Sequence, residues 1–96
     1  MYISMDSYGK NINVGMIIPS YAKHKGKNVY CDSYGNIYLE FSGYSTSPVY
    51  RDYSGNIDQV SSVKIYYSNG YADQIGSYKV YHSMDNKVIE INGVRI

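Results

Sequence analysis

Apolar residues in this chain alternate with polar ones over short runs, and polar clusters interrupt the runs. In "IYLEF", Ile37, Leu39 and Phe41 fall on one side, with Tyr38 and Glu40 on the other. In "VKIYY", Val63, Ile65 and Tyr67 oppose Lys64 and Tyr66, and in "VIEI", Ile89 and Ile91 oppose Val88 and Glu90. Val29 and Cys31 oppose Tyr30, and Ile12, Val14 and Met16 oppose Asn13. Side chains of a strand point alternately to its two faces, so each run predicts a strand with one aliphatic face. No stretch holds a helical period; "YADQIGSY" has room for one turn at most.

The interruptions carry hairpin chemistry. "DSYGNI" from Asp32 and "DYSGNI" from Asp52 share one layout, and "DSYGKNI" from Asp6 repeats it with one extra residue. Asp at the start bonds its own backbone two residues on, and Gly at the fourth place takes a positive φ without steric cost. "SNGY" at Ser68–Tyr71 supplies Asn-Gly, and "SMDNKV" at Ser83–Val88 supplies a weaker Asp-Asn signal. Around these turns a looser phrase recurs, with Tyr30, Tyr50, Tyr66 and Tyr81 in matching places. Tandem hairpins predict an all-β antiparallel meander, one domain over residues 1–96, forming a small sandwich or partly open barrel. A second copy covering the aliphatic face, a homodimer, is the next arrangement. The phrase is similar to the tyrosine-aspartate repeats of large toxin-like shells. Here Cys31 or Arg51 separates Tyr from Asp, so the likeness implies shared hairpin chemistry alone. Two segments break the rhythm and read as loops, Ile18 to Asn28 and Ser42 to Val49.

Composition sharpens this picture at one point. Of 96 residues 14 are Tyr, one is Phe and none is Trp. Tyrosine suits strands and also half-wet contact surfaces, because its ring packs while its hydroxyl stays solvated. By alternation Tyr30, Tyr38, Tyr50, Tyr66 and Tyr81 fall on the outer face. A surface rich in Tyr, Ser, Gly and Asn has the composition that paratopes use, and it points to a protein partner. The competing reading makes these tyrosines ordinary cross-strand pairs. Net charge is +1, which favours neither an anionic nor a cationic partner. The longest apolar run, Met16–Ile18, stops at Pro19, far short of a membrane span. A lone Cys31 and no leader-like start lead to the expectation of a reducing, cytoplasmic location and no membrane.

Candidate chemistry is sparse. Lys23, His24, Lys25 and Lys27, flanked by Tyr21 and Tyr30, would bind nucleic acid through phosphate contacts and base stacking. The plainer reading is a solvated loop that keeps a sheet edge soluble. Cys31 with His24 or His82 is a conceivable nucleophile and base, but a thiol on an aliphatic strand face is usually a small core residue. No metal-ligand spacing and no phosphate or dinucleotide fingerprint is present. The sequence therefore leads to the expectation of a non-enzymatic protein-binding domain without metal or cofactor, of inhibitor or immunity type. A small nucleic-acid-binding protein is the alternative.

Overall fold

The computed structural model describes residues 1–96 and contains strands but no helix, so none that is long and apolar enough to cross a membrane. The strands are β1 (Tyr2–Met5), β2 (Asn13–Gly15), β3 (Lys23–Gly26), β4 (Val29–Cys31), β5 (Ile37–Glu40) and β6 (Val49–Arg51). Then follow β7 (Ile57–Val60), β8 (Val63–Ser68), β9 (Tyr71–Ile75), β10 (Tyr78–His82), β11 (Val88–Ile91) and β12 (Val94–Arg95). All pairings are antiparallel. They build a five-stranded sheet, order β2-β1-β5-β4-β3, and a seven-stranded sheet that runs in simple sequence order from β6 to β12. Neither closes into a barrel, and one core of 17 buried residues joins them as in a small sandwich.

The turn chemistry is local and repeats faithfully. Gly35 N donates to Asp32 O (3.2 Å), Asp32 N donates to Asn36 O (3.1 Å), and Asp32 Oδ1 accepts from the amides of Tyr34 and Asn36 at 2.9 Å each. Asp52 makes the same four bonds with Gly55, Asn56 and Ser54, and Gly35 and Gly55 share a φ of 85°. At Asp6 the pattern recurs around Gly9, and the additional residue, Asn11, takes a φ of 56°. "SMDNKV" is not a short Asp-Asn turn but a fourth copy, with Ser83 in place of Asp and Asn86, at φ 70°, in place of Gly.

The seven-stranded sheet consists of three successive units, residues 49–64, 65–79 and 80–95. Their inward rows are Val49–Val60–Val63, Ile65–Ile75–Tyr78 and Val80–Ile91–Val94. Each unit holds a β-bulge in its middle strand, at Asp58, Asp73 and Ile89. An extra residue shifts the alternation, so core residues in that strand lie three apart, as Ile57 and Val60 do. This corrects the expectation for "VIEI": Val88 and Ile91 are buried and Ile89 is exposed.

The bulges also free backbone groups that other parts of the fold take up. Ser7 O and Gly9 O, in the first turn, accept from the amides of Val88 and Ala72 at 2.8 and 2.9 Å, which ties the two sheets together. The Ile57 carbonyl accepts from the Tyr67 hydroxyl, and the Ala72 carbonyl lies 2.9 Å from His82 Nε2. Tyr67 and His82 occupy the same place in successive units.

The five-stranded sheet is less regular. Its edge strands β2 and β3 are consecutive in the chain, so residues 16–22 must cross from one edge to the other. The core occupies the inner face, which sends this arm over the outer one. Two expectations change here. Lys23–Gly26 is not loop but the edge strand β3, with Lys23 opposite Cys31 and His24 opposite Tyr30. Met16 leaves the aliphatic face and stands in solvent, because β2 ends at Gly15.

Candidate functional site

The registers place an ordered ladder on the outer face of the seven-stranded sheet. Tyr50 pairs with Gln59 and Gln59 with Lys64; Tyr66 pairs with Gln74 and Gln74 with Lys79; Tyr81 pairs with Glu90 and Glu90 with Arg95. Each unit thus contributes one rung of tyrosine, amide or carboxylate, and cation. Tyr50, Tyr66 and Tyr81 are 51%, 50% and 50% exposed. Strand spacing and rise put successive tyrosines roughly 12 Å apart. Gln59 Nε2 donates to Ser61 O (2.8 Å) and Gln74 Nε2 to Gly76 O (2.9 Å), which fixes both amides and leaves each Oε1 without a protein donor.

Tyr30 and Tyr38 do not join this ladder. They pair with each other on the five-stranded sheet, beneath the crossing arm. Tyr38 is buried, only 6% exposed, so it is not the surface residue that alternation predicted. Its ring meets Tyr2 edge-on at 5.3 Å, and its hydroxyl donates to Asp32 Oδ2 at 2.9 Å. Burial, the Asp32 carboxylate and Tyr21 of the arm push the Tyr38 hydroxyl far above the ordinary phenol range. Desolvation works to raise the Asp32 carboxyl. The bonds from Asn36, Tyr38 and Tyr34 outweigh it and hold the group below its usual value. Tyr30 is half-buried, and its hydroxyl donates to Glu40 Oε1 at 3.3 Å.

The basic segment lies mostly along β3. Lys23, His24 and Lys25 are exposed there, Tyr21 is exposed in the arm before it, and Lys27 sits in the turn after it. His24 packs on the Tyr30 ring at 5.0 Å, and its Nε2 lies 2.6 Å from Lys27 O. Lys27 Nζ reaches Asn92 O of the other sheet at 3.5 Å. Lysines on an unpaired strand edge discourage edge-to-edge association, which accounts for Lys23 and Lys25 without a ligand. Cys31 packs against the core, and burial pushes its thiol up, away from the thiolate a nucleophile needs. No three His, Cys, Asp or Glu side chains converge.

Sequence reasoning missed the arm. Met16 and Ile17 are 77% and 83% exposed, side by side in the longest apolar run of the chain. Together with Met1, Ile18, Pro19 and Ala22 they wall a pocket of about 410 Å³ that also holds Tyr30 and Glu40. A smaller hollow beside it shares Met1 and Met16 and extends to Tyr44 in the Ser42–Val49 segment. The signal was present in "MIIP", an apolar run that continues past the alternation of "INVGM" and breaks its period. No protein-family model, curated protein or solved structure matches the chain.

Proposed function

We infer that this protein is a non-enzymatic binding domain that engages another protein through the outer face of its seven-stranded sheet. The observation that carries the reading is the near-identical half-exposure of Tyr50, Tyr66 and Tyr81 at the same place in three successive rungs. Cross-strand packing alone explains a tyrosine that is buried, as Tyr38 is. It does not explain three rings left half in water on one face. Tyrosine supplies contact area at low entropic cost, and the fixed Gln59 and Gln74 amides supply oriented acceptors beside it. Such a rigid face suits a protein that works by covering a surface on a larger one, in the manner of an inhibitor or immunity protein.

The test is a comparison of variants. Protein carrying a photoreactive cross-linker at Ser68, beside the ladder, is mixed with extract of the source cells, and the captured protein is identified and purified. Tyr50→Ala, Tyr66→Ala and Tyr81→Ala are each expected to weaken its binding by about 2 kcal/mol, roughly thirty-fold, with folding preserved. The triple change of Lys23, Lys25 and Lys27 to Gln is expected to leave affinity intact. Loss of binding in the lysine variant alone would move the contact to the β3 edge, and steeply salt-dependent binding of a single-stranded oligonucleotide, lost in the same variant, would move the function to nucleic acid.

A further inference from the structure

The pocket beneath the arm lies on the opposite side of the sandwich from the tyrosine ladder and stands independently of it. Its walls are apolar: Met16, Ile17, Ile18 and Pro19. Its floor is not, because Glu40 and Tyr30 lie there together. The only side-chain hydrogen bond to the Glu40 carboxylate comes from the Tyr30 hydroxyl, at a long 3.3 Å; the Met1 ammonium, which also lines the pocket, donates instead to Phe41 O at 3.0 Å, and no lysine or arginine of the chain pairs with the carboxylate. Glu40 is half-buried on the outer face of β5, a central strand, and shares the pocket with the arm residues Met16 to Ser20. The carboxylate therefore has no direct ion-pair partner within the chain. An opposite charge arriving with an apolar stem would bury both the walls and the floor.

We propose that this pocket receives an arginine side chain from a protein partner, with the aliphatic stem against Met16 and Ile17 and the guanidinium on Glu40. Three features select this occupant. The carboxylate requires a cation. The exposed Met16 and Ile17 require apolar surface at the mouth, which a small ion lacks and an arginine stem provides. Tyr30 also lines the pocket, and an aromatic neighbour favours a planar guanidinium over a lysine ammonium. The volume of about 410 Å³ accommodates one long side chain. The rim formed by the arm and Tyr44 then acts as the apolar ring that keeps water from the buried pair.

Two blocked tripeptides provide the probe, acetyl-Leu-Arg-Leu-amide and its norleucine counterpart, titrated into the methyl-labelled protein and followed by NMR. The arginine peptide is expected to shift the Met16 and Ile17 methyl signals and to bind about tenfold more tightly than the norleucine peptide. Glu40→Gln should erase that preference. Ile17→Ser, at a site already in solvent, should weaken both peptides several-fold without disturbing the fold. The Tyr50, Tyr66 and Tyr81 alanine variants should bind the arginine peptide as wild type does, so a failure of the ladder reading leaves this one standing. Equal binding of the two peptides by wild type would overturn the proposal. So would an arginine preference that persists in Glu40→Gln, or shifts confined to the ladder face.

Discussion

Two hairpins of this protein are written in nearly the same words. "VYCDSYGNIYLE" forms β4 and β5, and "VYRDYSGNIDQV" forms β6 and β7. Their turns share the same four bonds of the turn backbone to the aspartate, yet their second tyrosine-bearing faces differ completely. In the first, Tyr30 faces Tyr38, β5 lies at the middle of its sheet, and the arm covers the pair. In the second, a bulge at Asp58 brings Gln59 opposite Tyr50, β6 is an edge, and the ring stands half in water. Turn conformation is set by residues within six positions of one another. What a strand residue faces depends on neighbours the hairpin does not contain.

The largest expected contrast is in the strands. Leu39, fully buried in β5, should cost about 3–4 kcal/mol when changed to Ala, whereas Val49 at the exposed edge β6 should cost less than about 1 kcal/mol. Chemical denaturation of both variants checks this, and equal costs would mean that the edge is covered in solution.

Next come the turn aspartates. Asp32 is buried and holds Tyr38 as well as its own turn, while Asp52 is half-buried and holds the turn and no tyrosine hydroxyl. Asp32→Ala is expected to cost about 2–3 kcal/mol and Asp52→Ala about 1 kcal/mol. The folded Asp32 carboxyl sits below its unfolded value, so its contribution is present above the unfolded range near pH 4 and is lost as pH falls through the lower folded value. Acid unfolding should therefore be shallower in Asp32→Asn than in wild type, and urea midpoints between pH 5 and 2 measure it.

The glycines should erase the contrast. Gly35→Ala and Gly55→Ala both force a side chain to a φ of 85°, and each should cost about 1 kcal/mol. A difference between them larger than about 0.5 kcal/mol would show that the turns are not energetically equivalent. The smallest effect belongs to single hydroxyls. Tyr38→Phe should lose about 0.5–1 kcal/mol by removing the bond to Asp32, and Tyr66→Phe, with no protein partner, should leave stability unchanged.

These contrasts explain which parts could be read from the sequence. The three Asp-led turns could, because Asp, Gly and Asn act on their own backbone; the fourth was legible as a turn but not in its type, because Ser83 and Asn86 stand where the others have Asp and Gly. The inward placing of Ile37, Leu39 and Phe41 could, because β5 has no bulge. Ile89 could not, since one inserted residue shifts the alternation and leaves no mark in hydropathy. Tyr38 could not, because its burial depends on an arm that crosses from β2 to β3, and strand order is not a local property. Within the candidate surfaces, Tyr50, Tyr66 and Tyr81 could be named from their repeated places. Gln59, Gln74 and the cations beside them emerged only with the register. Met16 and Ile17 were visible as an apolar run, but hydropathy alone associates such a run with a core.

The three-unit construction has a consequence for how such a protein changes in length. Each unit enters and leaves the sheet at the same rung, so duplicating residues 65–79 would add two strands without altering the register of the others. The new inward row would then need something to lie on. The opposite sheet has five strands, and its first turn reaches only the freed amides of Ala72 and Val88. Copy number in this architecture is therefore limited by the area of the covering sheet, and a lengthened relative would have to widen that cover or find it on another molecule.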